Sequence, residues 1–187
     1  MIVAETKRLI LRNWRDGDRV LFHEINSDTE VMEFFGFVRD REQSDELLDR
    51  LKRDIEATGY GFYALEERAT GICLGFAGLA LTDLEPHFSK GTVEIGWRLA
   101  RPHWGKGYVT EAGRRLLSLG FDERGLDEIV SFAVFNNHRS TAVMERLGMK
   151  RDPARDFDHP KVSAATPHLK PHVTYSITRQ DWAGNRE

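Results

Sequence analysis

Apolar and polar residues alternate along the chain at two spacings, one of three to four residues and one of two. The longer spacing predicts four amphipathic helices, which span Asp16–Ile25, Glu42–Thr58, Thr110–Phe121 and Asn137–Leu147. Runs of apolar and β-branched residues predict six strands, which span Thr6–Arg12, Phe62–Glu67, Ile72–Leu81, Thr92–Leu99, Glu128–Val134 and His172–Thr178. The order β-α-α-β-β-β-α-β-α-β is typical of an α/β or α+β fold with a mixed sheet.

Turn-forming residues mark the ends of several of these elements. Gly148 directly follows the last predicted helix, where glycine is the usual C-terminal stop. Ser44 or Asp45 could cap the second helix near its start. A turn at 69–71 joins two strands into a predicted hairpin. The segment Asp152–Lys170 is rich in Pro, Asp and His, and predicts a long solvated loop before the last strand.

Length and composition narrow the class of protein. A chain of 187 residues is the size of one domain, so we expect a single domain over 1–187. The net charge of −3 comes from 27 basic and 30 acidic residues mixed along the chain, which disfavours a nucleic-acid partner. No apolar stretch approaches the roughly 18–20 residues of a membrane span. The single cysteine, Cys73, has no disulfide partner, which favours a cytoplasmic protein. As to its oligomeric state, we expect a monomer or a homodimer.

A glycine-rich turn follows the predicted strand Thr92–Leu99 and leads directly into a helix. Gly105 and Gly107 leave room for backbone N–H groups to approach an anion closely, and Lys106 adds a positive charge. The start of the helix adds unpaired N–H groups and the positive end of the helix dipole. The spacing matches neither the P-loop nor the dinucleotide-binding pattern. It predicts a pyrophosphate cradle, although a tight strand-to-helix connection would explain the two glycines equally well.

Two motifs in order give the chain a resemblance to a known family. Trp104–Val109 matches the pattern [QR]-x-x-G-x-[GA], with departures at its first and last positions. About thirty residues later, Asn137–Ser140 matches N-x-x-S, and Leu147–Met149 matches L-G-[MF]. The sequence thereby resembles the GNAT acetyltransferase superfamily, and most closely its ribosomal-protein N-acetyltransferase (RimJ/RimL-like) branch. The likeness runs from the Thr6–Arg12 segment to the terminal strand.

The resemblance implies a GNAT-like acyl-CoA N-acyltransferase fold, with a mixed central sheet that splays apart at the cofactor, after Glu94–Leu99. It implies acetyl-CoA as cosubstrate and an amine acceptor as partner. The residues that it assigns to cofactor binding are Trp97, Leu99, Ala100, Trp104, Gly105, Lys106, Gly107, Tyr108, Val109, Thr110 and Asn137. Asn137 and Ser140 would equally serve as a helix N-cap pair.

Acyl transfer to an amine needs a base for the amine and a proton for the leaving thiolate. Glu94 is the candidate base, although a free Glu is too weak to take the proton directly, so burial or a water relay would have to help. The alternative is a structural carboxylate held by a hydrogen bond. Met144 stands where many family members have an acidic tyrosine, so Ser140 or a bound water is the candidate proton donor. We expect no metal, because His159, His168 and His172 lack compact ligand spacing with Asp156 and Asp158.

These residues predict an N-acetyltransferase that moves an acetyl group to a primary amine in a ternary complex, without a covalent enzyme intermediate. The acceptor would be a protein N-terminus or a small-molecule amine. A non-catalytic CoA-binding sensor or scaffold is the alternative. The segment Phe34–Phe37 would either contact the acceptor or belong to the core.

Overall fold

The computed structural model describes residues 1–184, and within them nine strands form one mixed sheet. The strands are β1 (Ile2–Glu5), β2 (Leu9–Arg12), β3 (Gly61–Glu67), β4 (Cys73–Leu81), β5 (Val93–Leu99), β6 (Glu128–Val134), β7 (Lys150–Arg151), β8 (Phe157–Asp158) and β9 (Pro171–Thr178). Their spatial order is β1-β2-β3-β4-β5-β6-β9-β7, with β8 paired to β9. The β5–β6 pair is parallel and the others are antiparallel, which confirms the predicted mixed sheet.

Helices cover both faces of this sheet. They are α1 (Arg19–Ser27), α2 (Arg41–Thr58), α3 (Tyr108–Ser118), α4 (His138–Arg146) and α5 (Arg179–Gly184). On one face Phe76 of β4 contacts Phe22 of α1, and α2 packs beside α1. On the other face Leu79 of β4 lies next to Gly120, which follows α3. Among residues 1–184, no helix is both long and apolar enough to cross a bilayer.

The apolar core lies on both sides of β4. The inner positions predicted for α3 are buried, with Leu116, Leu117 and Leu119 exposing 0%, 0% and 5% of their surface. α3 ends earlier than predicted, because one turn of π-helix takes over at Leu119–Glu123. Since this helix begins at the glycine-rich turn, its packing against the sheet fixes the position of that turn.

The predicted strand Thr6–Arg12 is wrong in extent. The structure has β2 only over Leu9–Arg12, preceded by a turn and by β1, which the sequence pattern did not predict. Thr6 occupies the turn, where its backbone N–H donates to the carbonyl of Leu9 (2.9 Å). A four-residue edge strand carries too little alternation to stand out from a single sequence.

The N-cap predicted for the second helix is also wrong. Asp40 caps α2, with its carboxylate accepting from the backbone N–H of Gln43 (2.8 Å), and Gln43 completes a capping box. Ser44 instead is fully buried and donates its hydroxyl to the carbonyl of Asp40 (2.7 Å). The cap therefore lies four to five residues before the predicted positions.

The sequence predicted a long solvated loop over 152–170, but part of this segment is buried. Its short strand β8 pairs with β9 and carries the buried side chain of Phe157. His159 and His172 stack at 4.8 Å between ring centroids, and both rings pack against Phe157. Burial lowers the pKa of His159 to about 4, with the charges of His172 and Lys161 acting in the same direction. These two histidines are therefore neutral packing groups.

A buried ion pair joins β2 to the turn before α1. Arg12 exposes 3% of its surface and donates to both carboxylate oxygens of Asp18 (2.7 and 2.9 Å), while its Nε donates to Glu66 (2.6 Å). Both acidic partners are buried as well. Removing the cation would leave the Asp18 carboxylate without its charged partner in the interior.

Arg12→Met is therefore expected to lower the free energy of unfolding by about 3–5 kcal/mol. For a domain of this size that loss lowers the melting temperature by roughly 6–20 °C. Arg68→Met is the control, because Arg68 makes an exposed ion pair with Glu5 that is worth about 1 kcal/mol or less. Equal losses in the two variants, measured by urea unfolding, would contradict the role given to Arg12.

Candidate active site

A cavity of about 690 Å³ opens where β5 ends, between the glycine-rich turn and α4. This volume is typical of cofactor and small-molecule sites. The predicted site residues that line it are Trp97, Leu99, Trp104, Gly105, Gly107, Tyr108, Val109, Thr110, Asn137 and Ser140. Glu94, Ala100 and Lys106 were also predicted, and they are not part of the lining.

The two central strands separate at this cavity. β5 and β6 are in register at a single pair, Glu94 with Val130. One residue further along, the Ser131 hydroxyl donates to the carbonyl of Ile95 (2.9 Å). Beyond Ile95, β5 is paired with β4 on one side only. The opening expected between the central strands is therefore present, and it exposes the edge of β5 to a ligand.

The turn after β5 presents six consecutive backbone N–H groups, from Gly105 to Thr110, that have no acceptor within residues 1–184. The first bonded group beyond them is the N–H of Glu111, which donates to the carbonyl of Gly107 (3.0 Å). Gly105 and Gly107 have φ angles of +72° and +76°, which favour glycine. Unpaired N–H groups at the start of a helix bind anions well.

The turn between β1 and β2 contacts this loop and holds it in place. Arg8 donates through Nη1 to the carbonyl of Lys106 (3.0 Å), and its Nε pairs with the Glu111 carboxylate (2.6 Å). The Thr6 hydroxyl donates to the same carboxylate (2.6 Å). The brace joins residues about one hundred positions apart in the chain. It holds the donors in place before a ligand arrives, which lowers the entropic cost of binding.

Trp104 and Tyr108 are anchored to the protein by their side chains. The indole N–H of Trp104 donates to the carbonyl of Leu99 (2.8 Å), and its backbone N–H donates to the carbonyl of Arg101 (3.1 Å). The Tyr108 hydroxyl donates to Glu67. Trp104 therefore forms a wall of the cavity, and the unpaired backbone donors begin at the residue after it.

Asn137 is the N-cap of α4, as the alternative interpretation predicted. Its side-chain oxygen accepts from the backbone N–H of Ser140 (3.2 Å). The amide nitrogen of Asn137 and the hydroxyl of Ser140 have no partner within residues 1–184, although both residues line the cavity. Capping therefore leaves one polar group of each residue available to a ligand.

Glu94 lies at the point where the central strands separate. Burial raises the pKa of Glu94 to about 7, the charge of Asp83 acts in the same direction, and Lys161 opposes both. The carboxylate makes no hydrogen bond or ion pair with residues 1–184, so the bond required by the structural alternative is not observed. A carboxylate with a pKa near the working pH is suited to accept a proton.

Cys73 is not activated as a nucleophile. It is the only cysteine of the chain and is 8% exposed at the start of β4. Burial raises the pKa of its thiol to about 12, so the group is uncharged at neutral pH. Met144, at the position of the family tyrosine, is 1% exposed and belongs to the core. These environments agree with direct attack by the acceptor.

Sequence reasoning did not identify several residues of the cavity wall. They are Val31, Arg98, His138, Arg139, Ala142, Val143 and Arg146. Phe34, Phe35 and His103 line the cavity as well. The residues at 139, 142, 143 and 146 recur at helical spacing, so they share one face of α4. That spacing was visible in the sequence, but nothing local showed which face of the helix meets the cavity.

The opened mixed sheet and the cradle of unpaired N–H groups define a class of protein, the transferases that use an acyl-CoA. Comparison with known proteins agrees, because residues 8–150 match the family model described as an acetyltransferase (GNAT) domain. The chain therefore belongs to the GNAT acetyltransferase family, whose members carry out acetyl-CoA-dependent N-acetylation.

Relatives and solved structures of this kind cover most of the chain. The uncharacterized protein YkkB of Bacillus subtilis (strain 168) is 32% identical over 145 residues, which are 77% of this chain and 83% of that protein. The uncharacterized N-acetyltransferase p20 of Bacillus licheniformis is 25% identical over 183 residues, 96% and 97% of the two chains. The crystal structure of a GNAT-family acetyltransferase from Bacillus anthracis shares the fold, with a TM-score of 0.78 and 24% identity over 96% of this chain and 99% of that one.

Proposed function

We propose that the protein transfers the acetyl group of acetyl-CoA to a primary amine by direct attack within a ternary complex. The observation that carries this proposal is the row of six unpaired N–H groups from Gly105 to Thr110, placed beside the exposed edge of β5. The row fits the pyrophosphate of CoA in charge and in hydrogen-bonding capacity. The edge of β5 offers backbone partners to the amide groups of the pantetheine arm.

The cofactor residues then have separate tasks. The backbone at 105–110 would hold the pyrophosphate, and the strand backbone near Trp97–Ala100 would pair with the pantetheine arm. Asn137 would donate its unpaired amide nitrogen to the same arm or to the thioester region. Acetyl-CoA supplies an activated thioester carbonyl when it is bound. The protein supplies orientation, exclusion of water and the proton transfers.

Glu94 would act as the general base, through a water molecule. It lies on β5 where the opening begins, but it does not line the cavity, so a water molecule would connect it to the amine in place of a direct contact. The amine loses one proton to this relay as the new C–N bond forms. The C–S bond breaks in the same exchange, and the thiolate takes a proton from water, either directly or through the Ser140 hydroxyl, which gives up one proton as it receives another. A thiol pKa near 8.5 makes that last step undemanding.

An α-amino group is the easiest acceptor to deprotonate. Its pKa of about 7.7–8.0 compares with about 10.4 for a lysine side chain, so near neutral pH the free base costs about 1 kcal/mol rather than about 4. A carboxylate with a pKa near 7, as in Glu94, is adequate for the first of these. We therefore propose a protein N-terminus, as in the ribosomal-protein branch, or a small amine of similar basicity.

The first test is a thermal melt with and without acetyl-CoA, followed by an assay of amine-dependent CoA release. With acetyl-CoA at one hundred times Kd, binding stabilises the protein by about 2.7 kcal/mol. The melting temperature is then expected to rise by roughly 5–11 °C. Stabilisation together with CoA release supports the transferase. Stabilisation without release for any amine would favour the CoA-binding sensor, and no stabilisation at millimolar acetyl-CoA would contradict both.

A further inference from the structure

Arg98 is a half-buried arginine that forms no ion pair with a carboxylate in residues 1–184. It lies between the rings of Phe35 and Phe76, at 4.0 and 5.2 Å from their centroids. Its Nη1 donates to the side-chain oxygen of Asn26 (2.6 Å), a fully buried residue of α1. The Nε atom is buried and has no hydrogen-bond partner, and no carboxylate within residues 1–184 forms an ion pair with this residue.

A second unpaired cation lies beside it. Arg39 has a buried Nε without a partner, and its backbone N–H donates to the carbonyl of Asn26 (2.9 Å). Burial lowers the pKa of Arg98 to about 9, and the charge of Arg39 lowers it further. The carboxylates of Glu30 and Glu33 are paired with Arg101 and Arg139, respectively.

An unpaired buried charge is costly unless the structure supplies a partner, and the position of Arg98 indicates where that partner enters. Arg98 lines the cavity at the open end of β5. It shares one face of this strand with Glu94 and Gly96, because side chains alternate between faces. Glu94 and Arg98 are separated by four residues, roughly 13 Å along the strand. The ring of Phe62 covers this face at Gly96, where a built Cβ would meet it at 2.9 Å, so an acceptor would reach Arg98 from the cavity.

We propose that the acceptor amine carries an anionic group, a carboxylate or a phosphate, and that Arg98 binds this group. The inference rests on the proposed transferase function and narrows its substrate class to anionic amines, which excludes polyamines and aminoglycosides as preferred acceptors. Nη1 is bound to Asn26 and Nε is buried, which leaves Nη2, without a hydrogen-bond partner in residues 1–184, as the nitrogen that can donate to an anion in the cavity. Arg98 is thus a specificity-determining residue, and the proton transfers belong to other groups.

The experiment compares acceptors that differ only in the anion. The pairs are aspartyl and asparaginyl tripeptide amides, β-alanine and β-alaninamide, and O-phosphoethanolamine and ethanolamine, each assayed by CoA release. The wild type is expected to prefer the anionic member in kcat/KM by at least about tenfold. Arg98→Gln should lower kcat/KM for that member by roughly 10- to 100-fold and change its neutral partner by less than about threefold. Arg98→Lys should fall between the two, because it keeps the charge and loses the planar, fixed donor geometry of the guanidinium.

The control Arg68→Gln removes an exposed arginine that does not line the cavity and should leave both members unchanged. A merely structural role for Arg98 would lower both members of a pair alike, and a preference that survives Arg98→Gln would overturn the proposal. Turnover of neutral amines alone would also overturn it, while the transferase function would stand. The carboxylate and phosphate pairs show which anion is used. A wild type that does not bind acetyl-CoA in a thermal melt would remove both proposals together.

Discussion

Gly107→Glu is expected to abolish the stabilisation of the protein by acetyl-CoA. A Cβ built at this position has Nη2 of Arg8 3.7 Å away, so the added carboxylate would compete for the arginine that holds the loop and would place a negative charge beside the proposed pyrophosphate site. At an acetyl-CoA concentration that stabilises the wild type by about 2.7 kcal/mol, a hundredfold rise in Kd leaves about 0.4 kcal/mol. The shift in melting temperature would thus fall from roughly 5–11 °C to about 1 °C. CoA release in the presence of any acceptor should fall with it.

Gly71→Glu is the matched control for this substitution. Gly71 has a φ angle of +71°, against +76° for Gly107, and a Cβ built there meets no atom within 4 Å. The two variants therefore carry the same backbone strain and the same added charge, but Gly71 lies in the turn before β4, away from the cavity. Equal losses of stabilisation in both would show that strain, and not the phosphate cradle, explains the result.

Glu94→Gln is expected to lower kcat by about 10²- to 10⁴-fold, the usual loss when a general base is removed. In the wild type, kcat/KM calculated on the concentration of free-base amine should rise about tenfold per pH unit below pH 7 and level off above it, because the pKa of Glu94 is about 7. The variant should lose this limb of the profile. Full turnover by Glu94→Gln, with an unchanged pH profile, would assign the base to another group.

Asp83→Asn is a second test of the assignment of Glu94 as the base. The charge of Asp83 raises the pKa of Glu94, and Lys161, its ion-pair partner, lowers it. Removing the carboxylate of Asp83 should therefore shift the pH profile to lower pH while the plateau rate is kept. A profile that does not move would show that the limb near pH 7 belongs to a group remote from Asp83.

Glu94→Gln is also expected to change the stability of the protein in a definite direction that depends on pH. Burial raises the pKa of Glu94 from 4.5 to about 7, so the folded protein holds this proton more tightly than the unfolded chain does. The wild type accordingly loses stability as the pH rises from about 4.5 to 7. Glutamine cannot ionise and avoids that loss. The variant should melt at a higher temperature than the wild type at pH 8, and the difference should shrink toward pH 4.5.

The sequence predicted the elements whose signals are local. The spacing of Leu116, Leu117 and Leu119 identified the buried side of α3, because these neighbours on one helix face depend only on helical geometry. The hairpin of β3 and β4 followed from two apolar runs around a glycine turn. The tight turn between β5 and α3 followed from Gly105 and Gly107, whose positive φ angles are a backbone requirement that a single residue type satisfies.

Predictions were wrong where the deciding contact is distant in sequence. His159 was assigned to a solvated loop, yet it packs on His172 because β8 pairs with β9. The brace of the loop by Thr6 and Arg8 depends on Glu111, more than one hundred residues away. The spacing of these residues in the sequence does not indicate that they contact each other.

By itself, then, the sequence determined the order of the main elements, the family and the loop expected to hold the cofactor, since short-range periodicity and glycine conformation carry that information. Only the tertiary structure decided the charge states and the unpaired groups. Burial raises the pKa of Glu94, and within residues 1–184 Arg98 is surrounded by Asn26, Phe35 and Phe76 and pairs with no carboxylate. Both properties depend on solvent exclusion and on the charges that neighbouring elements contribute, which no local pattern specifies.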